Sequence, residues 1–364
     1  MPRTKILIAG FLTLLVMVGA AFHFVPAVQD FVIAGMIRPA FDQPQDALFG
    51  DDALRVAICG SGAPLADAGR RPACNLVFAG GKIYVVDAGA GSFARVAKWR
   101  LPLDRLEAVL ITHFHSDHIA DLPEARLQSW AGQRPALLPV YGGPGVERVV
   151  SGFAEAFALD DFYRITHHGA DFLKPETGRM QAREIANADG APLTGMQSAT
   201  VLEKDGLKIT AFAVDHAPVI PAYGYRFDYK GRSVVFSGDT QKSESLALHA
   251  KGADLLIHEA MDKNIVGLLR DAAAQAGKLS AHKIFHDIPD YHASPEDAAL
   301  TAQQAGVPHL VLTHLLPPIP AWPGERIFLR GAEVAGVTPR IAFDGMLIEL
   351  PAESDQVIFG DLGR

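Results

Sequence analysis

The stretch Thr112-His113-Phe114-His115-Ser116-Asp117-His118 decides the fold. It packs three histidines and an aspartate into six residues, directly after the apolar run 106–112, which predicts a buried strand. Imidazole nitrogens and carboxylate oxygens are ligands for borderline divalent metals such as zinc. At a strand end, His113 and His115 project to the same side and can share one metal. After the chain turns, Asp117 and His118 can face another, so the stretch predicts a metal site with two ions.

Three later motifs each follow an apolar, strand-like run. Asp215-His216 follows residues 209–214, Gly238-Asp239-Thr240 follows 233–237, and Thr313-His314 follows 309–312. In their order, these four motifs resemble the metallo-β-lactamase superfamily over roughly residues 54–350. The resemblance implies an α+β fold, a four-layered αββα sandwich with β-rich halves inside and helices outside.

The resemblance also implies the ligands. His113, His115 and His216 would hold one metal. Asp117, His118 and His314 would hold the other, and Asp239 would bridge the two. The implied cofactors are two Zn²⁺ ions, with Mn²⁺ or Fe²⁺ as alternatives. The implied chemistry is hydrolysis by a metal-activated hydroxide. In this superfamily an aspartate at the position of Asp87 sits behind the site and orients a ligand histidine.

Length and charge limit the organisation and the partners. The ligands run from His113 to His314, so a single catalytic domain is predicted over residues 51–351, after a linker at 30–50 and before a C-terminal tail at 352–364. The formal net charge of −8 disfavours a polyanionic partner, because nucleic-acid binding depends on neutralising phosphates with Lys and Arg.

The amino terminus indicates export. Residues 6–29 carry no formal charge, and Arg3 and Lys5 precede them. This pattern predicts an N-terminal transmembrane helix that anchors the catalytic domain in the periplasm or outside the cell. A signal peptide within residues 1–29, cleaved to release a secreted enzyme, is the alternative. Cys59 and Cys74 are the only cysteines, and either a disulfide or two buried thiols fits the sequence.

Residues 256–314 resemble the branch of the superfamily that contains tRNase Z and arylsulfatase-like enzymes. In that branch a late histidine precedes a helix and acts in catalysis without binding metal, and His292 occupies this position. Ser294 and Pro295 then predict the start of the helix. The catalytic residues expected from the resemblance are Asp117 and His292.

The substrate that we expect follows from a difference between this chain and tRNA-processing enzymes of the branch. Those enzymes carry a long arm between the lone-histidine motif and the Gly-Asp-Thr motif, whereas only 22 residues separate His216 from Asp239 here. We therefore expect a small-molecule ester, an aryl sulfate or a phosphodiester, with no nucleic-acid partner. A lactonase or β-lactamase-type ring-opening enzyme is the alternative. A tRNase Z-type endoribonuclease and a non-catalytic metal-binding scaffold are less favoured. The resemblance also suggests a homodimer.

Two further segments contain histidines outside the motifs. Residues 160–194 are predicted to be an irregular polar loop, and they include His167 and His168. Residues 263–291 are longer than the branch usually has and contain His282 and His286, four residues apart. The second segment is interpreted either as a lid over the metals or as a surface helical hairpin, and we favour the surface hairpin.

Overall fold

A computed structural model describes residues 11, 16–38, 46–50, 52–319, 323–333 and 336–363. The chain divides into two compact units, residues 1–45 and residues 46–364. All of the predicted metal ligands and His292 lie in the second unit.

The described part of the first unit contains helices α1 (Val16–Phe24) and α2 (Pro26–Ile37). No single helix among the described residues is long and apolar enough to cross a membrane. The two helices meet the criteria of length and composition only as a pair, and they are bent by 91° at the break between them. The predicted transmembrane helix is therefore not confirmed. Part of the segment predicted at 1–29, namely residues 1–10 and 12–15, lies outside the described residues.

The second unit is built on two sheets. The first sheet has eight strands in the order β15-β14-β1-β2-β3-β4-β5-β6. Their bounds are β1 Ala53–Gly60, β2 Cys74–Ala79, β3 Lys82–Ala88, β4 Leu106–Leu110, β5 Leu138–Gly142, β6 Met180–Glu184, β14 Met346–Pro351 and β15 Ile358–Asp361. Strands β1 to β3 pair antiparallel, and β3 to β6 pair parallel.

The second sheet has seven strands in the order β13-β12-β11-β10-β9-β8-β7. Their bounds are β7 Ser198–Lys204, β8 Leu207–Ala213, β9 Tyr223–Tyr229, β10 Arg232–Phe236, β11 Leu255–Met261, β12 His309–Leu316 and β13 Arg340–Ile341. Strands β10 to β13 pair parallel, so their carboxyl ends meet at one edge of the sheet.

Helices cover both outer faces. They are α3 Ser92–Val96, α4 Ser116–Ile119, α5 Leu122–Ala131, α6 Val146–Ala156, α7 Ala158–His168, α8 Glu244–His249, α9 Lys263–Gln275, α10 Leu279–Asp287, α11 Pro295–Ala305 and α12 Gly324–Phe328. Short 3₁₀ turns occupy Asp46–Phe49, Ala97–Trp99, Leu103–Arg105 and Ile288–Asp290. One apolar core lies between the sheets. A second packs α3, α5 and α6 on the first sheet, and a third packs α8 and α11 on the other. The predicted α+β sandwich with outer helices is confirmed.

Two segments differ from the expectation of irregular chain. Within 160–194, residues up to His168 belong to α7, and Met180–Glu184 forms β6 by pairing in parallel with β5. Within the predicted tail 352–364, Ile358–Asp361 pairs with β14 as the edge strand β15. Both strands lie at an edge of the first sheet, and neither has a strong apolar alternation in its sequence. Their formation depends on pairing with the neighbouring strand, which the sequence pattern does not indicate.

Cys59 and Cys74 form a disulfide that connects β1 to β2 and closes the loop between them. The sequence left this pairing open, because either state of two buried cysteines fits a strand pair. The antiparallel register places Gly60 opposite Cys74, which brings Cys59 within bonding range.

We predict that the disulfide stabilises the folded chain. A cross-link across a 15-residue separation is expected to contribute about 3 kcal/mol, mainly by restricting the unfolded chain. Urea unfolding with and without reductant measures this contribution, and the Cys59→Ala, Cys74→Ala double variant is the control that reductant should not affect. An unchanged midpoint for the reduced wild-type chain would contradict the prediction.

Candidate metal centre

The carboxyl ends of several strands deliver the predicted ligands to one edge of the sandwich. His113 follows β4, His216 follows β8, and Asp239 follows β10. His314 arrives differently, because it lies within β12. Glu259 pairs with Thr313 and Ala260 with Leu315, so His314 is the extra residue of a bulge, and its φ is 46°. The bulge re-aims this one side chain toward the others.

Asp87 supports the site from behind. Its carboxylate accepts hydrogen bonds from the backbone N–H and the hydroxyl of Thr112, both at 2.8 Å. It also accepts one from Nδ1 of His118 at 2.8 Å. The predicted role of Asp87 is therefore present in the structure: the bond at Nδ1 leaves Nε2 of His118 available to a metal.

The seven predicted ligands form two groups around the same centre. The first group contains His113, His115, His216 and Asp239, and the second contains Asp117, His118 and His314. Within each group the ligand atoms lie within 4.8 Å of one another. Oδ2 of Asp239 is 3.4 Å from Nε2 of both His118 and His314, which places Asp239 between the groups.

The donor atoms fit a pair of divalent cations. Nε2 of His118 and Nε2 of His216 are buried and have no hydrogen-bond partner among the described residues. Their Nδ1 atoms are already engaged, by Asp87 and by the carbonyl oxygen of Tyr291 at 2.9 Å respectively. Buried polar atoms without partners are costly unless something binds them. Two clusters of imidazoles and carboxylates therefore indicate a dinuclear metal site.

Electrostatics favour the ligand forms of His113, Asp117 and Asp239. At His118 burial lowers the pKa, but Asp239 and Asp87 outweigh it and raise the pKa well above its ordinary value. Burial lowers the pKa of His113 well below its ordinary value, which keeps the ring neutral. Burial by itself would raise the pKa of Asp239, but the imidazoles of His314 and His118 hold it well below its ordinary value. Burial likewise opposes ionisation of Asp117, yet the hydrogen bond from His314 lowers its pKa. Both carboxylates are thus anionic at neutral pH.

His292 lies beside these groups and is held by Glu259. Nδ1 of His292 donates to Oε1 of Glu259 at 2.9 Å, and the His292 ring stacks on that of His314 with centroids 5.6 Å apart. Burial lowers the pKa of His292, but Glu259 outweighs it and raises the pKa to about 9. The imidazole is thus protonated at neutral pH. His292 also approaches Asp239 and His314 closely enough to be grouped with them as a metal ligand.

Sequence reasoning assigned no role to Glu259 or to Tyr291. Oε1 of Glu259 also accepts hydrogen bonds from the backbone N–H groups of Thr240 and Ala293, both at 3.1 Å. The available signal was a glutamate inside the apolar strand β11, since a buried charge demands partners. For Tyr291, the atom that matters is a backbone carbonyl, which no residue pattern identifies.

The remaining histidines that the sequence singled out do not join the centre. His167 and His168 are exposed at the end of α7. Nδ1 of His282 contacts the carbonyl oxygen of Arg270 at 3.2 Å, and His286 is exposed beside Asp287. The segment that contains these last two is a helical hairpin, α9 and α10, with both histidines in α10.

Comparison with known proteins identifies the superfamily and supports the same fold. The model of the β-lactamase superfamily domain matches residues 83–315, which include every predicted ligand. The chain belongs to this superfamily. A ribonuclease Z from Mycobacterium bovis is 37% identical over 269 residues, covering 73% of this chain and 87% of the relative. One from Mycobacterium sp. is 35% identical over 289 residues, covering 79% and 92%.

Solved structures agree on the fold. Human tRNase Z, short form, matches with a TM-score of 0.57 and 22% identity, over 82% of this chain and 99% of that one. A metallo-beta-lactamase fold protein from Bacillus subtilis matches with a TM-score of 0.56 and 21% identity, over 82% and 100%. The predicted superfamily and its tRNase Z branch are confirmed.

The predictions of a small aryl sulfate or phosphodiester substrate and of no nucleic-acid partner are wrong. The relatives at 35–37% identity are ribonucleases. The short spacing between His216 and Asp239 does not exclude this class, because relatives named ribonuclease Z match this chain over 87–92% of their own length. The net charge of −8 does not exclude it either, because a net charge averages over the whole surface and says nothing about where cations lie.

We predict that His292 and His314 have different roles. His292→Ala should retain both metals and lose about 10²–10⁴-fold in rate, as expected for removal of a proton donor. His314→Ala should weaken the second metal position instead. Elemental analysis of the purified variants measures the metals, and hydrolysis rates at saturating metal measure catalysis. Loss of metal from His292→Ala equal to that from His314→Ala, or full activity of His292→Ala, would contradict this assignment.

Proposed function

We propose that this chain is a metal-dependent endoribonuclease that hydrolyses a phosphodiester bond of RNA. The observation that carries the proposal is the similarity to ribonuclease Z enzymes over nearly their whole length. The geometry supports it, since two groups of metal ligands share Asp239 and a protonated histidine stands beside them. A phosphodiester carries negative charge, and paired cations neutralise such charge as it develops.

Zinc is the metal we propose, because imidazole and carboxylate ligands suit it. When bound, a pair of such ions supplies a water nucleophile at neutral pH and neutralises charge on the phosphate. The ligands are the seven residues of the two groups: His113, His115, His216, Asp239, Asp117, His118 and His314.

The side chains of this chain move the protons. Asp117 is ionised, and its Oδ2 lies 3.2 Å from Nε2 of His314 within the group of candidate ligands, so its other oxygen can orient the attacking water. His292 is held at Nδ1 by Glu259, so its Nε2–H is the atom that can donate. The water oxygen bonds to phosphorus and gives a proton to Asp117 as the bond to the leaving ribose oxygen breaks, and His292 donates its proton to that oxygen.

The test is cleavage of end-labelled RNA by the purified, metal-loaded chain. We expect internal cleavage that stops with a chelator, returns with added Zn²⁺, and is absent in His113→Ala. The ligand variant lowers metal binding without touching the RNA surface, so a contaminating nuclease would still cleave in that sample. Intact RNA in the presence of hydrolysed p-nitrophenyl sulfate would refute the proposal.

Export of the catalytic unit is part of the proposal. The charge-free run at 6–29 after two basic residues supports it, and so does the Cys59–Cys74 disulfide, which is a feature of oxidising compartments. In the cells that make the protein, we expect it to sediment with membranes and to resist thiol alkylation until it is reduced. Recovery in the soluble fraction with both cysteines alkylated would count against export.

A further inference from the structure

The helical hairpin formed by α9 and α10 has no role in the chemistry described above. It is inserted between β11 and His292, and its two helices pack against each other. A three-residue turn, Ala276 to Lys278, connects them. The first turn of the hairpin is stabilised by a helix cap, because the side chain of Asp262 accepts hydrogen bonds from the N–H groups of Asn264 and Ile265 at the start of α9.

The base of the hairpin adjoins the metal centre. Val266 is fully buried in a small apolar cluster with Met261 and Leu316. Met261 lies two residues beyond Glu259 on β11, and Leu316 lies two residues beyond His314 on β12. The hairpin therefore begins at the strand ends that carry the site.

The hairpin also ends at the site. The chain leaves α10 through Ile288–Asp290 and reaches Tyr291, whose carbonyl oxygen holds Nδ1 of His216. The Tyr291 ring lies 4.8 Å from that of His216 and 4.7 Å from that of His292, measured between centroids. The hairpin thus adjoins the metal centre on the side of His216 and His292.

Charge distinguishes the hairpin from the rest of the chain. Residues 263–287 contain four Lys or Arg and two Asp, a local net charge of +2 in a chain of net charge −8. The Lys283 ammonium contacts both carboxylate oxygens of Asp287, so this group is already engaged. The Lys278 ammonium has no partner in the described part of the chain, and Lys263 has only Asp297 at 3.9 Å. Arg270 contacts one oxygen of Asp271 through Nε and Nη2, which leaves the N–H groups of its Nη1 for a phosphate, and its side chain is 40% exposed.

These cations are spread along the hairpin. Lys263 lies at the base by the site, Arg270 lies halfway along α9, and Lys278 lies at the tip. At 1.5 Å per residue, the 13 residues of α9 span about 20 Å. A polyanion that runs along the hairpin would meet a cation at each level and would reach the metal centre at the base.

We propose that this hairpin is the RNA-binding arm of the chain, with Lys263, Arg270 and Lys278 contacting phosphates of the strand that enters the site. The inference rests on the proposed function and extends it, since it names the surface that holds the RNA strand away from the bond that is cleaved. Contacts of this kind are electrostatic and independent of base sequence. A second copy of the chain is the competing occupant, because Leu268, Leu279 and Ile284 are exposed on the same hairpin.

The test compares two triple variants with equal loss of charge. The first, Lys263→Gln, Arg270→Gln, Lys278→Gln, removes the proposed phosphate-binding cations. The second, Lys98→Gln, Lys208→Gln, Lys251→Gln, removes exposed lysines elsewhere. Lys208 is near the start of β8 and Lys251 precedes β11, at the strand ends away from the site. Both variants are first checked for wild-type circular dichroism and thermal midpoint.

We expect the hairpin variant to bind RNA about tenfold or more weakly, with most of the kinetic change in KM rather than kcat. Because three cations would no longer neutralise phosphates of the single strand, the slope of log Kd against log salt should fall by about 2. Fluorescence anisotropy with labelled RNA, in a His113→Ala background that prevents cleavage, measures Kd. The control variant should match the wild type.

Failure of this inference is distinguishable from failure of the proposed function. If the wild type cleaves RNA and the two triple variants bind it equally, the hairpin is not the arm. If the hairpin variant changes molecular mass by light scattering and leaves Kd unchanged, the surface joins two copies, and the inference is wrong. If the wild type neither binds nor cleaves RNA, the proposed function itself is wrong and the inference is lost with it.

Discussion

The carboxylate of Asp239 is the group on which the centre depends. It is 3% exposed, and its Oδ2 lies between 3.4 and 4.0 Å from Nε2 of four histidines, namely His113, His118, His216 and His314. A buried charge is costly unless opposite charge or a metal compensates it. His113 and His216 follow β4 and β8, His118 lies in α4 and His314 lies within β12, so the compensation exists only after both sheets have come together.

Glu259 makes the second connection. One carboxylate oxygen accepts hydrogen bonds from Thr240, which follows Asp239, from the backbone of Ala293, and from the ring of His292. Oε1 of Glu259 therefore positions two things at once. It holds the loop that carries the candidate ligand Asp239, and it holds His292, the residue proposed as proton donor. A change that moves Glu259 would disturb metal binding and proton donation together, whereas a change at His292 would disturb only the second.

The error about the substrate has a physical cause. Net charge is a property of the whole chain and motif spacing is a property of one segment, whereas a substrate meets the local surface around the site. The spacing between His216 and Asp239 excludes a long insertion at that place only. It carries no information about the insertion between Glu259 and His292, where the structure has two helices of opposite net charge to the chain.

The sequence by itself determined the superfamily and grouped the seven candidate ligands, because each ligand motif follows or ends an apolar run, and strand ends converge at an edge of a sheet. Only the tertiary structure decided the rest. Glu259 and His292 are 33 residues apart, and His216 and Tyr291 are 75 apart, so their contacts depend on strand order rather than on any local pattern. The bulge that turns His314 inward is a matter of register between β11 and β12. Pairing between distant segments sets such features, and a single sequence encodes it only through the folded chain.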